Sequence, residues 1–359
     1  MSGLPLSDRD PHTEPACGYL LQVEPVFHER VWGREDLRPI YSRPAERPQR
    51  VGEVWLTGDQ NRVTNGRWAG TSLGEVARAC APGLLGSAGS APRPGFPVFP
   101  LLVKFLFTND KLSVQVHPPD SYAREKEGSA GKTEMWHVLA ADPGAQLAVG
   151  FRDDLTSGAM WHREALRTAV RSGAIEQMLR WVDVRAGDTF FVPAGTVHAI
   201  GGGIGLCEIQ QNSDVTYRLY DYNRPGTDGR PRPLHVEKSL DVLEWRSRGG
   251  RTRPLELAQD HATRLCLAAC PYFATEQWLL EGAFEHTTGA RGEIWIALEG
   301  AAEFRVAQEP VQCKQGEVVI VPADVDRFAV RSPHPSVFLR TYPPDLGADV
   351  IAPLEARGF

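Results

Sequence analysis

The chain has 359 residues, of which 42% are hydrophobic and 23% are charged, and these are the proportions of a soluble globular protein. Its net charge of -6 argues against nucleic acid or an anionic membrane surface as its main partner. A small anionic substrate is still compatible with this charge, because a local pocket of arginine and lysine can oppose the overall sign. A chain of this length predicts two domains.

The cysteines and the N-terminus indicate where the protein resides. Six cysteines are scattered along the chain without a C-x-x-C pair: Cys17, Cys80, Cys207, Cys266, Cys270 and Cys313. A secreted disulfide-rich protein would be shorter and denser in cysteine, so we expect reduced thiols and a cytoplasmic location. Residues 1–18 are polar and proline-rich, which predicts a flexible N-terminal tail. No later apolar run has the length of a membrane span.

The first third of the chain predicts strands followed by a helix. Short apolar runs separated by turn-forming residues predict β-strands between residues 19 and 63. A helix is predicted over residues 71–86, with Thr71 or Ser72 as its N-cap and Glu75 completing a capping box. Further apolar segments after the helix predict more strands up to the middle of the chain.

The middle of the chain changes character twice. Helical spacing of apolar residues predicts a helical insert over residues 153–181, which we expect beside the mouth of the functional site. Strands then resume, and a segment rich in proline and arginine, residues 223–233, predicts a long surface loop. After residue 253 a second β-rich block continues to Tyr342.

The second β-rich block repeats two sequence motifs of the first. GDTFFVPAGTVHAI at 187–200 aligns without gaps with GEVVIVPADVDRFAV from Gly316, and EMWHVL at 134–139 aligns with EIWIAL at 293–298. Such a repeat predicts a mainly β protein that consists of two related jelly-roll barrels and the small helical insert.

Polar residues of metal-binding types occur in and beside the strands of the first copy. In LSVQVHPPD, the alternation along a strand directs Ser113, Gln115 and His117 to one side. Glu134 begins a later strand, and His198 ends the repeated phrase. Two imidazoles, a carboxylate and an amide oxygen suit zinc, with manganese, cobalt, nickel or iron possible in vitro.

The phrase that contains His198 fits a known motif, in which Gly, Pro, Gly and His are separated by five, one and two residues. Gly187, Pro193, Gly195 and His198 occupy the fixed positions. The glycines permit tight turns, the proline ends a strand, and the histidine is directed into a barrel. This pattern is the second motif of the cupin fold.

The repeat divides the chain into two predicted domains. Residues 19–253, which include the insert, form the predicted catalytic cupin domain, and residues 254–359 form a second cupin domain. In the second copy, Arg327 stands where His198 stands in the first. Because a cation repels a metal ion, we expect no metal site in the second domain and one ion per chain.

Further motifs occur in a fixed order along nearly the whole chain: VFHERVWGREDL, PLLVKFLFTNDKLSVQVHPPD, GKTEMWHVL, the cupin motif and EIQQNSDVTYRLYDYNR. Together they resemble the class I (type I) mannose-6-phosphate isomerases, particularly the short bacterial form. The resemblance implies one zinc ion per chain, held by Gln115, His117, Glu134 and His198. It implies catalytic roles for four residues: Arg218, Lys132, Glu208 and Asp214. It also implies sugar contacts for two: Ser113 and Trp32.

The implied reaction agrees with the chemistry of these residues. Interconversion of an aldose and a ketose requires proton transfer between adjacent carbons and stabilisation of an enediolate, which a divalent ion can supply as a Lewis acid. Fixed cations must hold the phosphate, and Lys132 and Arg218 are the candidates. The group that moves the proton stays open between Glu208, Asp214, Lys132 and a metal-bound hydroxide.

Other functions are compatible with parts of the pattern. His117, Glu134 and His198 alone would form the metal set of a non-haem iron cupin dioxygenase, although Gln115 would then fill a position that oxygen needs. A non-catalytic sugar-phosphate-binding cupin, or an enzyme for another aldose phosphate, are the remaining alternatives. For the favoured function we expect a small sugar phosphate as partner, no nucleic acid or membrane, and a monomer or weak homodimer.

Overall fold

The computed structural model describes residues 17–42, 50–89, 99–156, 163–247, 249–258 and 262–358. Residues 1–16 of the predicted tail lie outside this description. Within it, no helix combines the length and the apolar character that crossing a membrane requires. The fold is mainly β, as predicted.

The strands and helices have the following bounds. The strands of the first half are β1 Leu21–Gln22, β2 Val26–Arg34, β3 Val51–Trp55, β4 Leu101–Thr108, β5 Val114–Val116, β6 Glu134–Ala141, β7 Gln146–Phe151, β8 Leu179–Asp183, β9 Thr189–Val192, β10 His198–Ile200, β11 Ile204–Gln211 and β12 Tyr217–Tyr220. Those of the second half are β13 Gly250–Arg251, β14 Leu255–Ala258, β15 Ala262–Ala269, β16 Ala274–Thr287, β17 Glu293–Glu299, β18 Ala301–Val306, β19 Glu309–Lys314, β20 Val318–Val321 and β21 Arg327–Tyr342. The α-helices are α1 Leu73–Gly89, α2 Asp120–Glu127, α3 Asp153–Thr156, α4 Arg163–Ser172, α5 Ile175–Met178, α6 Val236–Val242 and α7 Ala352–Glu355, with a 3-10 turn at Gly66–Trp68 and a π-helical turn at Gly347–Ile351.

Barrel one is built from two sheets that face each other. One sheet has five strands in the order β12-β5-β10-β7-β8, and the other has seven in the order β13-β9-β6-β11-β4-β2-β3. Apolar side chains from both sheets fill the space between them, including Trp136, Val149, Phe190 and Leu206. Because side chains alternate along a strand, each strand has one face toward this interior and one toward the outside.

Barrel two contains β14 to β21, and its strands belong to a single nine-stranded sheet. Its interior is aromatic, with Trp278, Trp295, Phe304 and Phe328 buried together. The N-terminal strand β1 also joins this sheet by pairing with β20. The first predicted domain, residues 19–253, therefore contributes its first strand to barrel two, because β20 offers an open edge there.

The aligned phrases of the two barrels occupy equivalent places in their sheets. Glu134 of β6 is opposite Val192 of β9, and the aligned Glu293 of β17 is opposite the aligned Val321 of β20. The repeat seen in the sequence is thus a repeat of individual strand pairs.

Helix α1 begins where the sequence predicts it. The hydroxyl of Ser72 donates to the carboxylate of Glu75 at 2.7 Å, and the N–H of Glu75 donates to the Ser72 oxygen at 3.3 Å. The predicted capping box is therefore formed. The helix continues to Gly89, three residues beyond its predicted end, with non-helical backbone at Cys80 and Gly86.

One apolar core joins α1 to the outer faces of both barrels. It combines Leu73 and Val76 of α1 with Phe105 of β4 and with Ile320 of β20. Burial of such surface stabilises the contact by roughly 25 cal/mol per Å² of apolar area. The seven-stranded sheet is thus covered on its outer face, which leaves its inner face for the functional site.

The helical insert is shorter than predicted. Helix α5 ends at Met178, and residues 179–183 form β8 instead of continuing the helix to residue 181. The segment LRWVD pairs with β7, and this pairing supplies backbone hydrogen bonds that a local helical pattern does not reveal. Long-range strand pairing therefore overrides the helical spacing at this end.

The insert packs against the five-stranded sheet of barrel one. Leu166 and Val170 of α4 share an apolar cluster with Val114 and Val116 of β5. These valines point to the outside of the barrel, since Gln115 between them lies on the opposite face of the strand. The apolar face of the insert thus covers the back of the five-stranded sheet, and its position beside the mouth of the site stays a prediction.

One cysteine pair departs from the expectation of reduced thiols. Cys17 and Cys80 are joined by a disulfide, and the N–H groups of Cys17 and Gly18 donate to the carboxylate of Asp324 at 2.6 and 2.9 Å. These hydrogen bonds fix residues 17 and 18, the end of the predicted tail, beside α1. The sulfur atoms of Cys17 and Cys80 thereby meet although the two residues are distant in sequence. The other four cysteines are free and buried: Cys207, Cys266, Cys270 and Cys313.

Candidate metal centre and active site

Three neighbouring strands of barrel one place candidate residues in one row. His198 on β10 is directly opposite Gln115 on β5, and Gln115 is in turn opposite Arg218 on β12. Directly paired residues of an antiparallel ladder share a face of the sheet. This face is the barrel interior, so the structure brings two predicted metal ligands next to the predicted phosphate-binding arginine.

His117 and His198 present the same ring atom to the interior. Nδ1 of His117 lies 2.9 Å from the carbonyl oxygen of Val215, and Nδ1 of His198 lies 2.9 Å from that of Thr196. A carbonyl oxygen only accepts, so each Nδ1 carries the proton and each Nε2 presents its lone pair to the interior. Burial lowers the pKa of His198 to about 4 and the pKa of His117 well below its ordinary value. Both rings are therefore neutral near pH 7, which is the form that binds a metal.

Glu134 completes a compact group of buried donor atoms. Its Oε1 lies 3.4 Å from Nε2 of His198, and its Oε2 lies 3.6 Å from Nε2 of His117. The ligand atoms of these three residues all lie within 4.8 Å of one another. Oε1 of Glu134 is buried and has no hydrogen-bond partner. A buried carboxylate oxygen without a partner is costly, and a cation at this point would satisfy it.

Gln115 is the fourth predicted ligand, and it lies beside this group. Its amide nitrogen is 3.1 Å from Nε2 of His198, and its amide oxygen accepts a hydrogen bond from the buried Ser113 hydroxyl at 3.2 Å. The nitrogen and oxygen of an amide exchange places by a half-turn, so the group can direct its oxygen toward a metal. The four residues fit a divalent ion that accepts nitrogen and oxygen ligands.

Lys132 is a buried cation among these groups. Its ammonium donates to Oε2 of Glu134 and lies 3.2 Å from Nε2 of His117 and 3.9 Å from Oε2 of Glu208. Burial favours the neutral amine, but Glu134 and Glu208 outweigh it and raise the pKa of Lys132 above its ordinary value. Lys132 therefore carries a positive charge beside the candidate ligands, where it can hold an anionic oxygen of a substrate.

Glu208 is buried between two lysines and a tryptophan. Nε1 of Trp136 donates to Oε1 of Glu208 at 3.1 Å, and Nζ of Lys104 lies 3.5 Å from Oε2. Burial, only partly opposed by Lys132, raises the pKa of Glu208 above its ordinary value. A carboxylate with a raised pKa accepts a proton more readily than an ordinary glutamate, which suits Glu208 to a role in proton transfer.

Lys104 and Glu53 extend this network, and neither was predicted. Nζ of Lys104 lies 3.8 Å from Oε2 of Glu53, whose carboxylate also accepts two hydrogen bonds from Arg30. Burial opposes ionisation of Glu53, but Lys104 and Arg30 outweigh it and hold the pKa of Glu53 at about 2. The signal that could have found Lys104 is its position as the one charged residue in LLVKFLF, since a buried lysine needs a partner.

The other predicted site residues lie at different depths. Arg218 is half-buried, and its Nε is buried without a hydrogen-bond partner. Asp214 is exposed, although its charge contributes to the field at Lys132. Trp32 is buried in the apolar interior of barrel one, so packing accounts for its position. The roles of Asp214 and Trp32 stay predictions.

Within the described residues, barrel two holds no comparable group of metal-ligating side chains. The predicted reason is the charge of Arg327, but this residue is exposed whereas the aligned His198 is buried. The relevant cation is Arg340, whose guanidinium lies 2.5 Å from the carboxylate of Glu293 and 3.0 Å from that of Glu276. This side chain neutralises the glutamate that corresponds to Glu134.

Two jelly-roll barrels, with a buried His-Glu-His group in the first, define a metal-binding protein of the cupin class. Known proteins specify the family further. The family model for the mannose-6-phosphate isomerase cupin domain matches residues 263–337 of barrel two.

Relatives match most of the chain. It is 37% identical to a mannose-6-phosphate isomerase of Streptococcus mutans, over 84% of this chain and 93% of that protein. It is 36% identical to the mannose-6-phosphate isomerase ManA of Bacillus subtilis, over 88% and 95% of the two chains. The crystal structure of the mannose 6-phosphate isomerase from Bacillus subtilis has a TM-score of 0.78 at 29% identity and covers 90% of this chain and 99% of its own. The chain belongs to the mannose-6-phosphate isomerase family.

Proposed function

We propose that this chain is a zinc-dependent isomerase that interconverts mannose 6-phosphate and fructose 6-phosphate through an enediol intermediate. The observation that carries the proposal is the row of His198, Gln115 and Arg218 with Lys132 nearby. It combines neutral metal ligands with two cations inside one barrel. This combination suits a sugar that carries both adjacent oxygens for a metal and a phosphate for the cations. Membership of the family supports the same reaction.

The proposed zinc ligands are Gln115, His117, Glu134 and His198. The ion, when bound, would supply Lewis-acid polarisation of the sugar oxygens and so stabilise the developing enediolate. The chain keeps both imidazoles neutral through burial and fixes their orientation through hydrogen bonds to backbone carbonyls. Both contributions prepare the ligand atoms before the substrate binds.

Arg218 and Lys132 are proposed to hold the anionic parts of the substrate. The unpartnered Nε of Arg218 is a free donor, and a guanidinium can bind a phosphate through two parallel hydrogen bonds. Lys132 lies deeper, beside Glu134, and is suited to the oxygens near the reacting carbons. Ser113 and Trp32 are included in the proposal as sugar contacts.

Glu208 is the proposed proton-transfer group. Its raised pKa and its position near Lys132 favour it over Asp214, which is exposed. In one direction the carboxylate of Glu208 would accept the proton from the carbon next to the carbonyl, and it would return the proton to the neighbouring carbon. The ammonium of Lys132 would then stay charged throughout and stabilise the enediolate oxygens.

The proposed function also suggests a cellular location, a partner and an oligomeric state. We propose a cytoplasmic protein whose partner is a small sugar phosphate, and which is a monomer or a weak homodimer. Light scattering across a range of protein concentrations tests the oligomeric state directly. A dimer that persists at nanomolar concentration would contradict it.

The direct test of the proposed function is turnover by zinc-reloaded protein with a panel of aldose 6-phosphates. We expect conversion of mannose 6-phosphate to fructose 6-phosphate without oxygen consumption. Oxygen uptake with tightly held iron would instead identify a dioxygenase. Binding of the sugar phosphate without turnover would identify a non-catalytic binding protein. A preference for glucose 6-phosphate would change the substrate and keep the reaction class.

A further inference from the structure

Asp221 is a buried carboxylate for which the proposed mechanism has no role. It lies directly after β12 and is 5% exposed. Arg232 donates to both of its oxygens, through Nε at 2.7 Å and Nη2 at 2.5 Å. Arg224 donates to Oδ1 through Nε at 3.2 Å and Nη2 at 3.1 Å. A carboxylate shared by two guanidinium groups fixes the position of both.

These contacts close the loop over residues 223–233, which has the irregular structure that the sequence predicts. Within the loop, Gly226 donates its N–H to the carbonyl of Arg230 at 2.7 Å, and an isolated antiparallel bridge joins Pro225 to Pro231. The chain therefore reverses direction and returns Arg232 to Asp221. Because proline has a fixed φ, the loop has few alternative conformations once this pair has formed.

The end of the loop holds the proposed phosphate-binding arginine. The carbonyl of Pro233, the residue after Arg232, accepts a hydrogen bond from Nη1 of Arg218 at 2.9 Å. His235 holds the backbone of Arg218 on both sides, since its N–H donates to the Arg218 carbonyl at 2.7 Å and its Nδ1 accepts from the Arg218 N–H at 3.2 Å. The position of the Arg218 side chain thus depends on a residue adjacent to Arg232.

The same arrangement leaves Arg218 without a direct ion-pair partner among the described residues. In the part of the chain that the structure describes, Arg218 forms no ion pair with a carboxylate, and its Nε has no partner. Asp221 is already bound by two other arginines, so it does not compete with a substrate for Arg218. An arginine that is fixed but unpaired is preorganised for an anionic ligand.

We propose that Asp221 is a positioning residue that acts through Arg218. By holding Arg232, and with it the carbonyl of Pro233, it sets the guanidinium of Arg218 for the phosphate of the substrate. The inference rests on the proposed function, in which Arg218 binds that phosphate. Among the described residues, the side-chain partners of Asp221 are Arg224 and Arg232, and none of the candidate metal ligands is among them.

The test is Asp221→Asn in the full-length, zinc-loaded protein, alone and combined with Arg218→Ala. We expect Asp221→Asn to raise both the KM for mannose 6-phosphate and the inhibition constant of inorganic phosphate about fivefold. The kcat should change less than about twofold, and the zinc content should not change. In the Arg218→Ala background, Asp221→Asn should change kcat/KM by less than about twofold, because the residue through which it acts is absent.

Asp110→Asn is the matched control. Asp110 accepts a hydrogen bond from the same Arg224 at 2.9 Å but is exposed, and its removal leaves the pair of Asp221 and Arg232 intact. We expect no change in KM for this variant. A fivefold rise in KM there would mean that any loss of negative charge near the loop has the same effect, and would overturn the positioning role.

Two results with Asp221→Asn would also overturn it: an unchanged KM, or equal losses of kcat/KM with and without Arg218. If the variant does not fold, Arg232→Gln breaks the same pair from its more exposed side and is judged by the same results. Failure of the proposed function has a different signature. In that case the wild-type protein does not convert mannose 6-phosphate, or Arg218→Ala has unchanged kinetics.

Discussion

Barrels one and two share a strand arrangement but carry opposite charges at equivalent positions. In barrel one, Lys104 of β4 is opposite Glu208 of β11, and their charged groups lie 3.5 Å apart. In barrel two, Glu276 of β16 is opposite Arg340 of β21, and their charged groups lie 3.0 Å apart. A Lys–Glu pair in one barrel thus becomes a Glu–Arg pair in the other.

The correspondence is fixed by two aligned tryptophans on the neighbouring strands. Trp136 is opposite Glu208, and Trp295 is opposite Arg340. The inversion extends to the next strand, where Glu53 of barrel one corresponds in register to Arg264 of barrel two. The charge is therefore inverted at one position on each of three adjacent strands, while the pairing of the strands is the same in both barrels.

Among the described residues, this inversion accounts for a candidate metal-binding group in barrel one and none in barrel two. In barrel two, Glu293 is neutralised by Arg340, which is part of the chain. In barrel one, Lys132 binds only Oε2 of the aligned Glu134, whose Oε1 is buried without a partner, and Glu208 stands where barrel two has its arginine. We therefore expect metal binding in this chain to depend on the carboxylates of the barrel interior as well as on the motif histidine.

The largest difference between the barrels is expected when the aligned residues His198 and Arg327 are each replaced by alanine. His198→Ala should lose the metal and lower kcat/KM at least about a thousandfold, since Lewis-acid stabilisation is worth several kcal/mol. Arg327→Ala, its matched control, should keep both metal and activity because Arg327 is exposed. Metal analysis and steady-state kinetics on both variants test this. Full zinc occupancy in His198→Ala would show that the proposed ligand set is wrong.

Substitution of Arg340, the buried cation of barrel two, should have the next largest effect, and it should act on stability. Arg340→Ala removes the guanidinium that Glu276 and Glu293 share and leaves Glu293 buried with, among the described residues, only His286 as an ion-pair partner, which should lower the free energy of unfolding by about 3–5 kcal/mol. Urea denaturation monitors this, with Arg327→Ala as an exposed arginine on the same strand. A loss of less than about 1 kcal/mol would mean that the charge of Arg340 is not needed to stabilise the buried glutamates of barrel two.

Acid should destabilise both barrels through one carboxylate each. Burial opposes ionisation of Glu293, but Arg340 outweighs it and lowers the pKa of Glu293 from 4.5 to about 2. Ionised Glu293 therefore stabilises the fold above about pH 4.5, and this stabilisation is lost as the pH falls through about 2. Between pH 5 and 2, the wild type should lose about 3 kcal/mol more unfolding free energy than Glu293→Gln.

Glu53 allows the same measurement in barrel one. Its pKa is also about 2, although its partners are Lys104 and Arg30. We expect Glu53→Gln to remove a similar part of the acid dependence. Equal slopes for the wild type and both variants, measured by denaturation at several pH values, would contradict the inverted charge networks.

Arg218→Ala should have a smaller effect, confined to catalysis by barrel one. A charge-assisted hydrogen bond to phosphate contributes about 1.5–3 kcal/mol, so kcat/KM for mannose 6-phosphate should fall at least about tenfold. If Arg218 also steadies the enediolate, kcat will fall as well. The zinc content should stay normal, since Arg218 is no ligand. Unchanged kinetics would remove Arg218 from the site.

Features that depend on neighbouring residues were predictable from the sequence. The capping box of Ser72 and Glu75 and the alternation that directs Gln115 and His117 to one face need only local rules. The internal repeat added the second barrel, and the order of motifs added His198. These patterns are enough to bring the candidate metal ligands together.

Features that depend on distant partners were not predictable in the same way. The pairing of β1 with β20 and the start of β8 at Leu179 are decided by which strand edge is available. The role of Lys104 depends on Glu53 and Glu208, which are remote in sequence and meet only across the sheet. The direction of the Arg327 side chain likewise depends on its register with β16.

Substitution of Arg327 by histidine is expected to leave the number of bound metal ions unchanged. If the identity of residue 327 alone excluded a metal from barrel two, then Arg327→His would restore the cupin motif and add a second ion. The structure predicts otherwise, because residue 327 is exposed and the carboxylate of Glu293 is already bound by Arg340. We expect zinc-reloaded Arg327→His protein to contain one ion per chain, the same number that we expect for the wild type. Two ions per chain would mean that the histidine position governs metal binding and that the inverted charges are secondary.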